Sequence, residues 1–192
     1  MSLVFALVAS ASAEEFVIHK FDKRTNALGG TSSVYQQAPS RATATVSAEV
    51  SQDPGGKALK LDYVKKGVGG PYGKGGWCGF YTRLKSADNY FDASHYKTLR
   101  FWVKGAKGDE NFRVGISDRH WDELDDTVKS EDIGTYLPEG KITTVWQRAS
   151  IPLDVFGVDL SEIAAIAICF ETECFPGGTG QGTVYLDEII LE

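Results

Sequence analysis

Cysteine is scarce in this 192-residue chain: Cys78, Cys169 and Cys174 make neither a complete disulfide framework nor a zinc-ligand pattern. In an oxidising compartment Cys169 and Cys174 are the two that could staple a loop, leaving Cys78 as a buried thiol. Whether they pair depends on a Cα separation that sequence does not fix. Basic stripes are also missing. Twenty Lys and Arg against 26 Asp and Glu give a formal charge of −6 with no run suited to neutralising phosphates, which argues against nucleic acid as a partner. Simple solubility accounts for the modest negative charge. The glycine-rich stretch Gly67 to Gly76 fits neither GxxxxGK[ST] nor GxGxxG followed by a helix, so a phosphate cradle is not supported. There is no GxSxG elbow, and the three histidines are scattered without metal-ligand spacing. Helix-length hydrophobic patterns are few.

What the chain has is aromatic and glycine content. Eight Tyr, ten Phe, four Trp and 21 Gly, with 42% hydrophobic and 24% charged residues, read as a globular protein of strands joined by turns. The length fits one domain. Met1 to Ala13 resembles a signal-peptide leader: an apolar run from Leu3 to Val8, then Ala11-Ser12-Ala13 before Glu14-Glu15. It has no Lys or Arg before the apolar run and is short for a signal, and it is far below the roughly 20 apolar residues that span a bilayer. The expectation is a secreted or periplasmic protein without membrane insertion, its single domain covering residues 14–192.

Alternation predicts about nine or ten strands. Phe16 to Phe21 opens, and Asp22 to Ser33 reads as a loop. Arg41 to Val50 and Ala58 to Val64 form a hairpin around Asp53-Pro54-Gly55-Gly56, where Pro sets φ and Gly tolerates φ > 0. Further strands follow over Thr98 to Lys104, Asn111 to Asp118, Ile133 to Leu137, Val145 to Leu153, Ile163 to Glu171 and Thr183 to Glu192. Short helix is expected only at Leu153 to Phe156 and in the acidic loop after Ser117. An all-β, two-sheet antiparallel sandwich of jelly-roll type is the natural closure.

One more strand carries chemistry. In Gly75 to Leu84 (GGWCGFYTRL), alternation sends Cys78, Phe80, Thr82 and Leu84 to one face and Trp77, Gly79, Tyr81 and Arg83 to the other. The first set is core material. The second offers rings whose faces suit the C–H patches of sugars, with a guanidinium for their hydroxyls. Trp102 and Arg113, on the polar faces of their own strands, extend the candidate platform, with Asp62 a further member. Trp121 in Asp118-Arg119-His120-Trp121 is another candidate, because an exposed Trp in a loop either packs or binds; His120 ranks below it. Each of these aromatics has an ordinary packing role as its alternative. Glycoside hydrolysis needs two carboxylates about 5–10 Å apart across a cleft; a pair such as Asp118 and Glu171 is available, but no motif singles it out.

The succession GGWCGFYTRL, YFDASHYKTLRFWVKG, FRVGISD, VWQRASIPLDVF, VDLSEIAAIAICFE and TVYLDEIILE resembles the galactose-binding-domain-like β-sandwiches, especially carbohydrate-binding modules. The opening FDKRTNALGG is similar to the start of the complex I intermediate-associated protein 30 domain. The resemblance implies a non-catalytic module that binds a polysaccharide or oligosaccharide, with a structural Ca2+ ion. In the resembled modules that ion joins an acidic residue near the chain start to an Asp of the final strand, which match Asp22 and Asp187 here. Asn26 or loop carbonyls would complete its shell. The alternatives are a structural, adhesive or assembly-factor sandwich that binds a protein and, behind it, a glycoside hydrolase.

Overall fold

A computed structural model describes residues 15–23, 25–48, 50–86 and 89–192, so the leader expectation for Met1 to Ala13 falls outside the described residues. The strands are β1 (Phe16–His19), β2 (Ser32–Gln36), β3 (Arg41–Ser47), β4 (Ala58–Lys65), β5 (Cys78–Arg83) and β6 (Thr98–Gly105). They continue with β7 (Arg113–Asp118), β8 (Val128–Asp132), β9 (Gln147–Pro152), β10 (Ile163–Phe170) and β11 (Gly180–Leu191). One sheet has the order β3-β4-β11-β6-β9 with β1 also paired to β11, and the other is β2-β5-β10-β7-β8. All pairings are antiparallel, as the two-sheet sandwich requires.

The alternation explains the core. Leu59, Leu61, Leu99, Phe101, Val103, Val184 and Leu186 face Phe80, Val114, Ile116, Ile166, Ile168 and Phe170 across the sandwich, all buried. Each such side chain contributes roughly 1.5–3 kcal/mol by leaving water. Tyr63 stacks on Phe170 with ring centroids 3.8 Å apart, joining the two sheets. The predicted β3–β4 hairpin forms, and Gly55 at its turn has φ +81°, a conformation suited to glycine.

Three expectations change. Ser32–Gln36, partly inside the stretch read as a loop, is β2. Ile133 to Leu137 is not a strand: Ile133–Tyr136 is a 3-10 turn that follows β8, which occupies the stretch read as polar loop. Within its sheet β8 lies at the edge, paired only to β7, so a polar sequence such as VKSED serves there. The third concerns cysteine. Cys78, Cys169 and Cys174 are all free and buried. Cys169 lies on the outer face of β10 beside Tyr35 and Thr127, whereas the Cys174 thiol sits in the following turn against Asp132, 3.8 Å away. Burial pushes the thiols up, to about 11 for Cys78 and Cys169 and about 12 for Cys174, so none is a ready nucleophile. The expected short helices are present: Leu153–Phe156 as a 3-10 turn, and α1 (Arg119–Glu123) in the acidic stretch.

The glycine-rich segment before β5 is anchored from inside. Lys65 is 1% exposed, and its Nζ donates to the carbonyls of Lys66 at 2.7 Å and Lys74 at 3.4 Å. Gly75, with φ +81°, packs so close to the Lys66 carbonyl that a β carbon would collide with it. Gln37 then donates its backbone N–H to the Trp77 carbonyl at 2.8 Å. The loop thus delivers Trp77 to a fixed place.

Candidate functional site

The outer face of the second sheet carries a groove of about 600 Å³. Its floor is made of small side chains, Ala165 and Ala167 of β10 with Ser117 of β7. The register explains why: Ala167 lies between Tyr81 and Gly115, and Ala165 between Arg83 and Ser117. In β10 the large residues Ile166, Ile168 and Phe170 point into the core and the small ones outward, so the whole strand is buried.

One wall holds Tyr35 of β2, Trp77 immediately before β5, and Tyr81 and Arg83 on β5; the other holds Asp122 of α1, Asp125, Asp126 and Thr127, and Lys129 of β8, with Glu171 following β10. Trp77 is 43% exposed, so part of its ring is open to a ligand in the groove it lines. Arg83 donates to both oxygens of Asp122, at 2.7 and 2.8 Å, and this pairing holds its guanidinium pKa above the usual value. Lys129 donates to Asp126 at 2.8 Å. Burial raises the Glu171 carboxyl pKa, with Lys129 opposing the shift. A larger hollow of about 690 Å³ opens between β2 and β3, lined by Val34, Ala44, Leu59 and Phe80 among others. That gap at the edge of the sandwich also holds Asp22, Lys23 and Lys57, but its rings, His19, Phe21 and Phe80, are buried, whereas the groove presents Trp77 at its surface.

Of the candidate platform, Trp77, Tyr81 and Arg83 come together, and the chain separates the rest from them. Trp102 is on β6, on the outer face of the other sheet, with the Arg148 guanidinium 6.0 Å above its ring. Sheets in a sandwich lie about 10 Å apart, so Trp102 is on the far side of the molecule. Asp62 faces out from that sheet too, accepting from Thr183 at 2.5 Å and pairing with Lys60 at 3.2 Å. Arg113 shares the outer face of β7 but is held by Asp132 at 3.0 Å and does not line the groove. Trp121 is half-buried in α1, edge-on to His120 at 5.6 Å; its neighbour Asp122 is the residue that reaches the groove. The hydrolase pair does not form either. Asp118 is buried, capping α1 through the Trp121 N–H and accepting from the Asp159 N–H, whereas Glu171 lines the groove.

Asp22 and Asp187 line one small pocket of about 20 Å³ with Ser51, Asp53 and Glu188, and with the cationic side chains of Lys20 and Lys57, Lys20 pairing with Glu188 at 3.4 Å. Asp187 accepts from the Ser51 hydroxyl at 3.2 Å and the Gln52 N–H at 3.1 Å, while burial raises its carboxyl pKa. Among the described residues no group of three or more acidic, histidine or cysteine side chains is placed to hold a metal. Asn26 is spent elsewhere: its carbonyl oxygen accepts from Leu28 and Gly30, and its amide donates to Thr82 and Arg83.

Tyr35, Lys129 and the acids Asp122, Asp125 and Asp126 are not legible as groove residues in the sequence: Tyr35 falls in a stretch with no strand assigned, and the others in the stretch read as a polar, acidic loop. One signal was present. In IAAIAICF a large residue alternates with a small one along most of a buried strand, which marks a face where something else lies close.

Residues 15–192 match the family described as Carbohydrate binding domain 30. No curated protein matches the chain in sequence. The fold is similar to the family 30 carbohydrate-binding module of a cellulosomal cellulase of Clostridium thermocellum, at 22% identity and TM-score 0.64, covering 93% of this chain and 97% of that one. It is also similar to a family 11 module from the same organism, solved with a β-1,3-1,4-mixed-linked tetrasaccharide, at 15% identity and TM-score 0.66, covering 94% and 96%. A third likeness is to a β-1,2-glucanase from Parabacteroides distasonis, at 19% identity and TM-score 0.61, covering 94% of this chain and 25% of that one. At these identities the likenesses carry the fold alone.

Proposed function

The chain belongs to the Carbohydrate binding domain 30 family and is a non-catalytic carbohydrate-binding module, and we propose that it holds its glycan in the groove of the second sheet. The observation that carries this placement is the row of Tyr35, Trp77 and Tyr81 along one wall, facing charged side chains across a floor of alanine and serine. Sugar C–H patches stack on the rings, and hydroxyls exchange hydrogen bonds with Glu171, Lys129, Arg83 and the Asp122 to Asp126 segment. Each polar contact replaces one with water, so the affinity is modest. The floor is rigid strand, so the site is largely preformed.

Two further proposals accompany it. Asp22 and Asp187 line a pocket with Ser51 and Asp53, an oxygen-rich lining that supports a structural calcium ion at that place, which would displace Lys20 and Lys57 from the same pocket. The ion would tie the first strand's exit to the last strand and takes no part in glycan contact. Export follows from the leader-like Met1 to Ala13 and fits a module whose ligand is a polysaccharide; among the described residues, no helix is long and apolar enough to cross a membrane.

The test is a glycan array with insoluble-polysaccharide pull-down, including β-1,3-1,4-mixed-linked glucan, β-1,2-glucan, xylan and mannan. Selective retention is expected. A folded protein that is silent across all of them would contradict the placement of a glycan in this groove.

A further inference from the structure

We propose that Asp125 and Glu171 make the groove selective by charge, so that it keeps neutral glycans and turns away those that carry carboxylates; this rests on the carbohydrate reading of the same groove. Four acids line it, Asp122, Asp125, Asp126 and Glu171, against two cations, Arg83 and Lys129. Both cations are already taken. Arg83 donates to the two oxygens of Asp122, and Lys129 donates to Asp126 at 2.8 Å and to the Thr127 carbonyl at 3.3 Å. Among the described residues the side chains of Asp125 and Glu171 have no such partner. A carboxylated sugar in the groove therefore meets two uncompensated negative charges, and to reach a cation it must displace a carboxylate that the chain holds there. Neutral hydroxyls meet no such barrier, because they donate to the same oxygens.

The fold keeps the two acids in place. Asp125 stands in the turn that ends α1, where its N–H donates to the Asp122 carbonyl at 3.1 Å and the Asp126 N–H to the Trp121 carbonyl at 3.0 Å. Its backbone is left-handed, with φ +53°, a conformation that aspartate visits more readily than most residues. The other end of α1 is tied to the sheet by Asp118, which accepts from the Trp121 N–H at 3.1 Å and the Asp159 N–H at 2.8 Å. Glu171 directly follows β10, and its carbonyl accepts from the Cys174 N–H at 3.3 Å. Its side chain is half-buried, and a poorly hydrated charge acts more strongly on its neighbours than one in open water.

The test uses β-1,3-1,4-mixed-linked glucan, xylan and mannan, each hydroxyethylated or carboxymethylated to the same degree, so that the two forms match in bulk and differ in charge. Calorimetric titration at about pH 8, above the usual carboxylate range, reads the ratio of the two affinities on each backbone that binds. The carboxymethylated form is expected to bind at least roughly tenfold more weakly at low salt, the scale of a like-charge contact. The gap should narrow in about 1 M salt, where the screening length is about 3 Å. Asp125→Asn with Glu171→Gln, checked for folding by its melting curve, should move the ratio towards one, whatever its affinity for the neutral form. Glu139→Gln with Asp154→Asn removes two exposed acids outside the groove lining and should leave the ratio unchanged. Equal wild-type affinity for both forms would overturn the charge selection and leave the carbohydrate reading standing, as would a gap that salt does not narrow. A ratio that responds equally to both variant pairs would assign the effect to net charge and overturn the role of Asp125 and Glu171. Binding to none of these glycans would overturn both readings.

Discussion

Tyr35 closes over Gly79 so tightly that a β carbon on the glycine would collide with the phenol and with the Ile168 carbonyl. The missing side chain is what lets a ring from β2 lie across β5 and join the aromatic wall, where its hydroxyl meets the Cys169 thiol. Gly79→Ala forces one of these to move. Overpacking of this kind costs about 1–3 kcal/mol, and at this chain length each kcal/mol lowers Tm by about 2–4 °C. Thermal unfolding should show that loss together with weaker glycan retention; an unchanged melt with unchanged retention would mean the strands have more slack than described.

Lys65 makes a different kind of support. Replacing it by Met leaves the carbonyls of Lys66 and Lys74 without their donor, at a cost of about 1–3 kcal/mol if they stay unsatisfied. Amide exchange in residues 66–76 should accelerate more than exchange in β10, and retention should fall because Trp77 is less well placed. Uniform acceleration throughout the chain would instead assign Lys65 to global stability.

Glu171 sets a pH signature. Burial raises its pKa in the folded chain, so the folded state keeps that proton to higher pH than the unfolded state does. Between the two pKa values stability falls as pH rises, and the full cost is present above the folded value. Glu171→Gln removes this cost. Its Tm should exceed that of the wild type near neutral pH, and the gap should close as pH drops below the unfolded value of about 4.3. A gap that is the same at every pH would trace to something other than ionisation.

Asp187→Ala separates the calcium proposal from ordinary packing. A bound ion stabilises only the folded chain that binds it, so calcium should raise the wild-type Tm and leave the variant where chelator leaves it. Asp187 also accepts hydrogen bonds from Ser51 and Gln52, so some loss without calcium is expected in any case. An equal calcium response in both proteins would remove Asp187 as a ligand.

Much of this architecture could be read from alternation. Cys78, Phe80, Thr82 and Leu84 are buried as their spacing predicts, and Trp77, Tyr81 and Arg83 share the groove. What alternation does not encode is which sheet a strand joins. Trp102 and Trp77 both point outward from their strands, yet β6 and β5 belong to opposite sheets, and only long-range pairing decides that. Short polar segments were obscure for another reason. Ser32–Gln36 and Val128–Asp132 are strands because their neighbours β5 and β7 offer a ladder, not because their own composition demands one. Lys129, on the second wall of the groove, was hidden for that reason, whereas Asp122 to Thr127 lie in α1 and the turn after it, whose position over the sheet only the fold sets.

The most direct test of a glycan seated on the second sheet is a paired retention assay of Trp77→Ala and Trp102→Ala on whichever polysaccharide retains the wild type. Losing the burial of one aromatic ring against a sugar, on the order of 1.5 kcal/mol, corresponds to about tenfold weaker binding. The account predicts that loss for Trp77→Ala with the fold intact, and unchanged retention for Trp102→Ala. Full retention by Trp77→Ala, or loss confined to Trp102→Ala, would contradict it and move the site to the other face.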